Sequence, residues 1–281
     1  MSRAARTRQR GFWRGFFLLV LLALAEAAAV GTWFYKDYQR FQRLPLAWSG
    51  APQVIDIARG TSFRGVLAQL HAAGLDGAAH ALYWRALAWQ HKASVQAGEY
   101  AIEPDLTPLA LLEKLQRGDV IQYRFTIVEG WTVHELRLAL ARDPVLEYTL
   151  GAVADDELLS HLGVDAGIDG AEPLASPEGL FLPETYQFTR GTRDVQVLRR
   201  AHQALRTALD EAWAERQNGL PLASPYEALV LASIVEKETG LPEERAQVAG
   251  VFVRRLRLGM RLQTDPTVAY GLGPDFSGPL T

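Results

Sequence analysis

The run FFLLVLLALAEAAAVGTWFY, from Phe16 to Tyr35, constrains this chain more than any other stretch. Its length of about 20 residues suffices to cross a bilayer as a helix at about 1.5 Å per residue. Arg3, Arg6, Arg8, Arg10 and Arg14 precede it. That asymmetry puts the N-terminus in the cytoplasm and the remainder outside. Trp13, Trp33, Phe34 and Tyr35 fall at the two interfaces. Glu26 lies inside the run and costs a few kcal/mol near a bilayer centre. Ala23, Ala25, Ala27 and Ala29 also suit a signal peptidase, so anchor and cleaved leader both remain open. Either one exports the rest of the chain.

The exported part is large enough for one large domain or two smaller ones, at 281 residues in all, 48% hydrophobic and 22% charged. A net charge of −3 offers no bulk electrostatic case for nucleic acid. With no cysteine, thiol catalysis, disulfides and cysteine metal sites are excluded. His71, His80, His91, His134, His161 and His202 are scattered without ligand spacing, so no metal site is expected. No phosphate loop, His-Glu-x-x-His or Gly-x-Ser-x-Gly motif occurs, and GLGPDFSG at Gly271 only superficially resembles a nucleotide loop.

Lys36 to Pro52 reads as a linker broken by Pro45, Gly50 and Pro52. Three weakly similar copies of strand, turn and amphipathic helix come next, at 54–75, 98–118 and 123–142. Thr61 or Ser62 starts the first helix, Thr107 with Pro108 the second, and Thr132 with Glu135 the third. HALYWRALAWQHKA, between the first two copies, is a further helix whose Leu82, Leu87 and Trp89 belong mostly in a core. The pattern predicts an α+β fold with strands on one face and helices on the other. An acidic, punctuated stretch from Asp143 to Gly170 gives only short helical pieces. SPEGLFLPETYQFTRGT, from Ser176 to Thr192, is loop or short strand. Its aromatic residues Phe181, Tyr186 and Phe188 either pack or form a platform for sugar. A long amphipathic helix covers Val195 to Gln217.

The stretch SPYEALVLASIVEKETG, from Ser224 to Gly240, carries the most pointed chemistry. Ser224 and Glu227 have capping-box spacing with Pro225 at the first helical position, and Gly240 is a natural stop. At about 100° per residue, Glu238 falls between Ile234 and Val235 on the stripe begun by Leu231, while Glu236 lies on a flank. A carboxyl buried on that stripe, at the negative end of the helix dipole, is pushed toward its protonated form, as a general acid requires. The competing reading is an acid that merely ends the stripe, turning to water or pairing with an arginine such as Arg245 or Arg254. Leu241 to Gly259 is a second helix. The loop MRLQTDPTVAYGLG then concentrates Gln263, Thr264, Asp265 and Tyr270, side chains able to bind sugar hydroxyls. Turn chemistry at Asp265-Pro266 accounts for part of that loop equally well.

LASIVEKETG, followed by VFVRRLRLGMRLQTDPTVAYGLG, closely resembles the YceG-like family of membrane-anchored endolytic murein transglycosylases. PEGLFLPETYQF is similar to the family's segment before the catalytic region, and the repeats resemble its LysM-like module. The resemblance covers essentially the whole chain. It implies a cytoplasmic tail (1–15), a transmembrane helix (16–35), a linker (36–52), a LysM-like α+β module (53–122) and a mixed α+β catalytic domain (123–281). Relatives continue for some tens of residues past GPLT, so that domain is expected to be incomplete at Thr281.

The implied reaction cuts the β-1,4 bond between N-acetylmuramic acid and N-acetylglucosamine of nascent strands and leaves 1,6-anhydro ends. No cofactor is implied. The implied location is the inner membrane, with the catalytic part in the periplasm, alongside peptidoglycan synthases and division proteins. Glu238, the second acid of the Glu-Lys-Glu triplet, is the implied acid and then base. Glu236, Gln263 and Asp265 would orient sugar or stabilise positive charge at C1, with Thr264, Tyr270, Glu178 and Tyr186 as further substrate contacts. Two other readings stand beside this one: a membrane-tethered glycan-binding scaffold without catalysis, and a hydrolase.

Overall fold

A computed structural model describes residues 3–46, 53–74, 80–103, 105–164, 167–170 and 176–272, with backbone alone over 3–15. Residues 47–52 of the expected linker, and GLGPDFSG from its third residue, lie outside the described residues. The architecture is mixed α+β, mostly helical, with two small sheets among the described residues. The chain divides into two compact units, Met1–Ile121 and Gln122–Thr281.

The first unit opens with α1 (Arg3–Arg43), which contains the one helix segment among the described residues long and apolar enough to cross a membrane. Its continuity through Lys36 corrects the linker expectation: residues 36–43 are helical. Apolar and aromatic groups carry the helix on, because Tyr38 and Phe41 pack against the unit's core.

The core forms where β1 (Gln53–Ile57) pairs antiparallel with β2 (Gly98–Ile102), Ile55 opposite Tyr100. Alternation sends Ile55 and Ile57 inward and leaves Val54 outside. Gly98 sits at φ +143°, and a Cβ there would lie 2.5 Å from Val120 Cγ1, so only glycine fits.

Three helices cover the pair. In α2 (Phe63–Ala72), the Ser62 side chain accepts from Gly65 N–H. Next comes α3 (Ala81–Gln90), which buries Trp84 and Leu87. In α4 (Pro108–Arg117), Thr107 accepts from Ala110 N–H, and a left-handed Gly118 ends the helix. Leu82 and Trp89, expected in the core, are instead 72% and 85% exposed. One face of α3 packs on its neighbouring helices, and these two residues lie on the other.

The second unit pairs β3 (Tyr123–Thr126) antiparallel with β4 (Thr185–Phe188). Phe125 faces Tyr186 and Tyr123 faces Phe188 across this pair. The helix α5 (Val133–Arg142) starts on the capping box expected at Thr132 and Glu135. The short α6 (Leu158–Leu162) and the long α7 (Asp194–Ala214) complete the main core, which includes Leu136, Leu158, Phe181, Leu198 and Ala201. Asp194 is fully buried and ties the 143–150 segment to α7. It accepts hydrogen bonds from Thr149 N–H (2.8 Å), Thr149 Oγ1 (2.6 Å) and Leu150 N–H (3.0 Å).

A separate small core joins α8 (Pro225–Glu238) to α9 (Pro242–Arg257) through Leu231, Ile234, Val235 and Phe252. The expected loop after Gly259 contains a short helix, α10 (Asp265–Gly271), because Pro266 and Asp265 suit a first turn.

Candidate active site

The end of α8 is the site's frame. Ser224 caps its start by accepting from Glu227 N–H at 3.3 Å, while the Glu227 carboxylate accepts from Ala223 N–H at 2.7 Å. Both are local contacts that the spacing encodes. The other end differs from expectation. The chain leaves the helix at Thr239 in an extended conformation (φ −145°), so Gly240 is not a left-handed stop. Thr239, itself buried, donates its hydroxyl to Glu244 at 2.8 Å and accepts from Leu241 N–H at 3.1 Å. This turn starts α9 immediately and folds it back along α8.

That geometry decides the fate of the two glutamates. Leu231, Ile234 and Val235 are buried against α9 as the stripe requires. Glu238 continues the same face but lies at the last position of α8 and is exposed. The expected burial of Glu238 on the stripe is thus corrected. Its partner is a hydroxyl: Thr264 Oγ1 donates to Glu238 Oε1. Of the two arginines weighed as alternative partners, Arg245 pairs instead with Glu236, its Nη2 lying 3.1 Å from Glu236 Oε2.

Thr264 is only 3% exposed and stands just before α10. Its side chain makes no cap for that helix, although the position invites one; the hydroxyl is spent on Glu238. Burial and that bond suit Thr264 to supporting Glu238. The loop that presents Thr264 is fixed by α9, where Arg255 donates to the Leu262 carbonyl. Gln263, next to it, holds a left-handed backbone at φ +49° without being glycine, a conformation that costs on the order of 1 kcal/mol. Gln263 and Asp265, the chain neighbours of Thr264, are exposed, as is Tyr270 near the end of α10.

Glu178 and Tyr186 lie elsewhere in the second unit and are engaged by the fold. Both Glu178 carboxylate oxygens accept from Val133 N–H at 3.0 Å, at the start of α5. Burial pushes the Glu178 carboxyl above the usual carboxylate range, against the pull of that N–H. Tyr186 is buried with its hydroxyl donating to the Leu182 carbonyl at 2.8 Å, and burial pushes that hydroxyl up to about 12. Phe181 and Phe188 are buried too, so this aromatic segment packs, Tyr186 with it, which is the first of the two readings weighed for it.

Lys237, between the two glutamates, donates to the Gly130 carbonyl at 2.6 Å and so ties the end of α8 to the turn before α5. Sequence reasoning passed over this lysine, since only a carbonyl from a distant turn gives it a role. Two shallow concavities flank α5. One is lined by Trp131, Glu135 and Arg142 and the other by His134, Arg137, Tyr148 and Asp155; neither reaches Glu238. Among the described residues, no group of three or more His, Asp or Glu could hold a metal ion.

Comparison with known proteins gives this frame a lineage. The chain is 26% identical over 289 aligned residues to an endolytic murein transglycosylase of Streptococcus pneumoniae, covering 91% of this chain and 49% of that one. It is 25% identical over 187 residues to an endolytic murein transglycosylase of Bacillus subtilis, covering 63% and 52%. The chain thus spans about half the length of the curated relatives it matches. A crystal structure of a yceG-like protein from Listeria monocytogenes aligns at 24% identity with a TM-score of 0.43, covering 82% of this chain and 78% of that one. The YceG-like family itself matches over residues 55–281, a span that takes in the strand–helix copies, both glutamates of α8 and the loop bearing Thr264. On that match the chain belongs to the YceG-like family.

Proposed function

We propose that this chain is a membrane-anchored endolytic murein transglycosylase that cuts the bond from C1 of N-acetylmuramic acid to O4 of N-acetylglucosamine, leaving a 1,6-anhydro end. The observation that carries the reading is the Glu238 carboxylate, exposed at the end of α8 and oriented by the hydroxyl of a buried threonine. The names of its relatives support the substrate class.

In this reading Thr264 occupies Oε1 of Glu238 and leaves Oε2 to carry the proton. Glu238 gives that proton to the glycosidic oxygen as the C1–O4 bond breaks, and the N-acetylglucosamine end leaves as an alcohol. The resulting carboxylate takes the proton of the muramic C6 hydroxyl as its oxygen bonds to C1. One carboxyl serves both steps and no water enters, unlike hydrolysis by a carboxylate pair. Gln263 and Asp265, exposed on either side of Thr264, and the exposed Tyr270 near the end of α10 are the proposed sugar contacts. Glu236 is a weaker candidate because it is already paired with Arg245.

The strand–helix–helix–strand of the first unit is the proposed LysM-like module. The apolar helix segment Phe16–Arg43 is the proposed retained anchor in the inner membrane, which would leave the rest of the chain in the periplasm beside synthases and division proteins. The test is digestion of purified sacculi followed by mass spectrometry. Anhydro-muropeptides from the wild-type protein and none from Glu238→Gln support the proposal. Reducing ends would indicate a hydrolase, and equal release by the variant would remove Glu238 from the chemistry.

A further inference from the structure

Leu82, Arg85, Ala86 and Trp89 recur at one-turn spacing on α3, and all four are exposed. Such a stripe on a ten-residue helix is an apolar face with a cation in it, turned away from Trp84 and Leu87, which enter the core. Trp89 is 85% and Leu82 72% exposed, two turns apart on the same face.

The place of α3 relative to α1 indicates what meets this face. Tyr83 Oη donates to Asp37 Oδ2 at 2.7 Å, and Tyr38 Oη donates to Gln90 Oε1 at 2.9 Å. The Phe41 ring packs edge-on against Trp84 at 5.2 Å and stacks on His80 at 5.3 Å. Both ends of α3 are therefore fastened to α1 between Asp37 and Phe41. The apolar run ends at Tyr35, so these anchor points lie about 3 to 9 Å along the helix axis beyond it. A helix held that close to the exit of a membrane span lies at headgroup depth, where tryptophan is enriched and an apolar stripe is buried by lipid. Lys36, Arg40 and Arg43, exposed on α1 at the same level, can meet lipid phosphates, as can Arg85.

We propose that the Leu82–Trp89 face of α3 is a membrane-docking surface that lies in the interfacial layer of the same bilayer α1 traverses. The surface holds the first unit down on the membrane rather than leaving it to swing on α1. This rests on the reading of α1 as a retained anchor and is independent of the transglycosylase reaction.

The lack of cysteine in the sequence allows a direct test on the full chain. Trp89→Cys, Leu24→Cys and Arg59→Cys are labelled singly with bimane and reconstituted into vesicles of phosphatidylethanolamine and phosphatidylglycerol. Quenching by doxyl-labelled lipid and by aqueous iodide is then measured. The proposal expects the label at 89 to be quenched by shallow doxyl lipid and shielded from iodide. The label at 24 should be quenched by deep doxyl lipid, and the label at 59, in the turn after β1, by iodide alone. A second change, Leu82→Glu, should cost the label at 89 most of its lipid quenching.

If the label at 24 is in lipid but the label at 89 meets iodide, the docking surface is refuted while the anchor stands. Shielding of the label at 89 from both quenchers would mean that protein, such as a second copy, covers the face, and would overturn the proposal. Iodide access at position 24 would overturn the anchor and the docking surface with it.

Discussion

The buried hydroxyl of Thr264 donates to the exposed carboxylate of Glu238, joining the loop after α9 to the end of α8. Twenty-six positions of chain separate the two, and α9 fills the interval by folding back along α8. The bond fixes which way the carboxylate faces.

Removing that hydroxyl at constant volume isolates its role. In the proposed reaction, Thr264→Val should lower kcat about 10- to 100-fold, the worth of a hydrogen bond to a charged group, and leave KM nearly unchanged. Thr264→Ser should retain most of the rate. Turnover of sacculi by the three proteins checks this, and an unaffected Thr264→Val protein would leave the bond without a catalytic part.

Glu236 and Glu238 differ by two positions and should differ sharply in consequence. Glu236→Gln breaks a partly exposed pair with Arg245 and should cost under about 1 kcal/mol of stability while much of the activity survives. Glu238→Gln should abolish release of anhydro ends with the fold intact. Circular dichroism melting beside product analysis separates the two outcomes.

The Glu178 carboxyl gives a pH dependence of definite sign. Burial raises its folded pKa above the ordinary value of 4.5, so the folded chain binds this proton more tightly than the unfolded chain. The wild-type protein should therefore gain stability relative to Glu178→Gln as pH falls from neutral toward about 4.5. Urea unfolding followed through Trp131, which packs on the same core, reads the difference at each pH. A difference that shrinks on acidification would contradict the assignment.

Asp194 should be among the most sensitive positions of the second unit. Asp194→Ala leaves the N–H groups of Thr149 and Leu150 without their acceptor in a buried setting, a loss of roughly 3 kcal/mol or more. Asp194→Asn keeps one acceptor oxygen and should lose less. Thermal unfolding of the second unit's core would show the order.

Capping was the part of the fold most legible beforehand. Ser62, Thr107, Thr132 and Ser224 all accept from the N–H three residues ahead, because a cap involves only neighbours in the chain. The strand–helix copies were legible for the same reason, since alternation and helical periodicity are local. Asp194 was missed as a hub: its carboxylate serves a segment some 45 residues away, and nothing beside it in the chain shows that need. The segment 36–43 was misread because its breakers lie further on, while its own residues are helix-compatible and are held by contacts with α3.

The sequence by itself determined the apolar run, the helix starts, the set of glutamates at the end of α8 and the resemblance that the family match bears out. Tertiary structure decided what each group meets. It left Glu238 exposed with a threonine as partner, gave Arg245 to Glu236, sank Tyr186 into the core and turned Leu82 and Trp89 outward. The physical reason is that periodicity places a side chain on a face of its element. Whether that face is buried, paired or solvated depends on elements distant in the chain, and on where the helix beneath it ends.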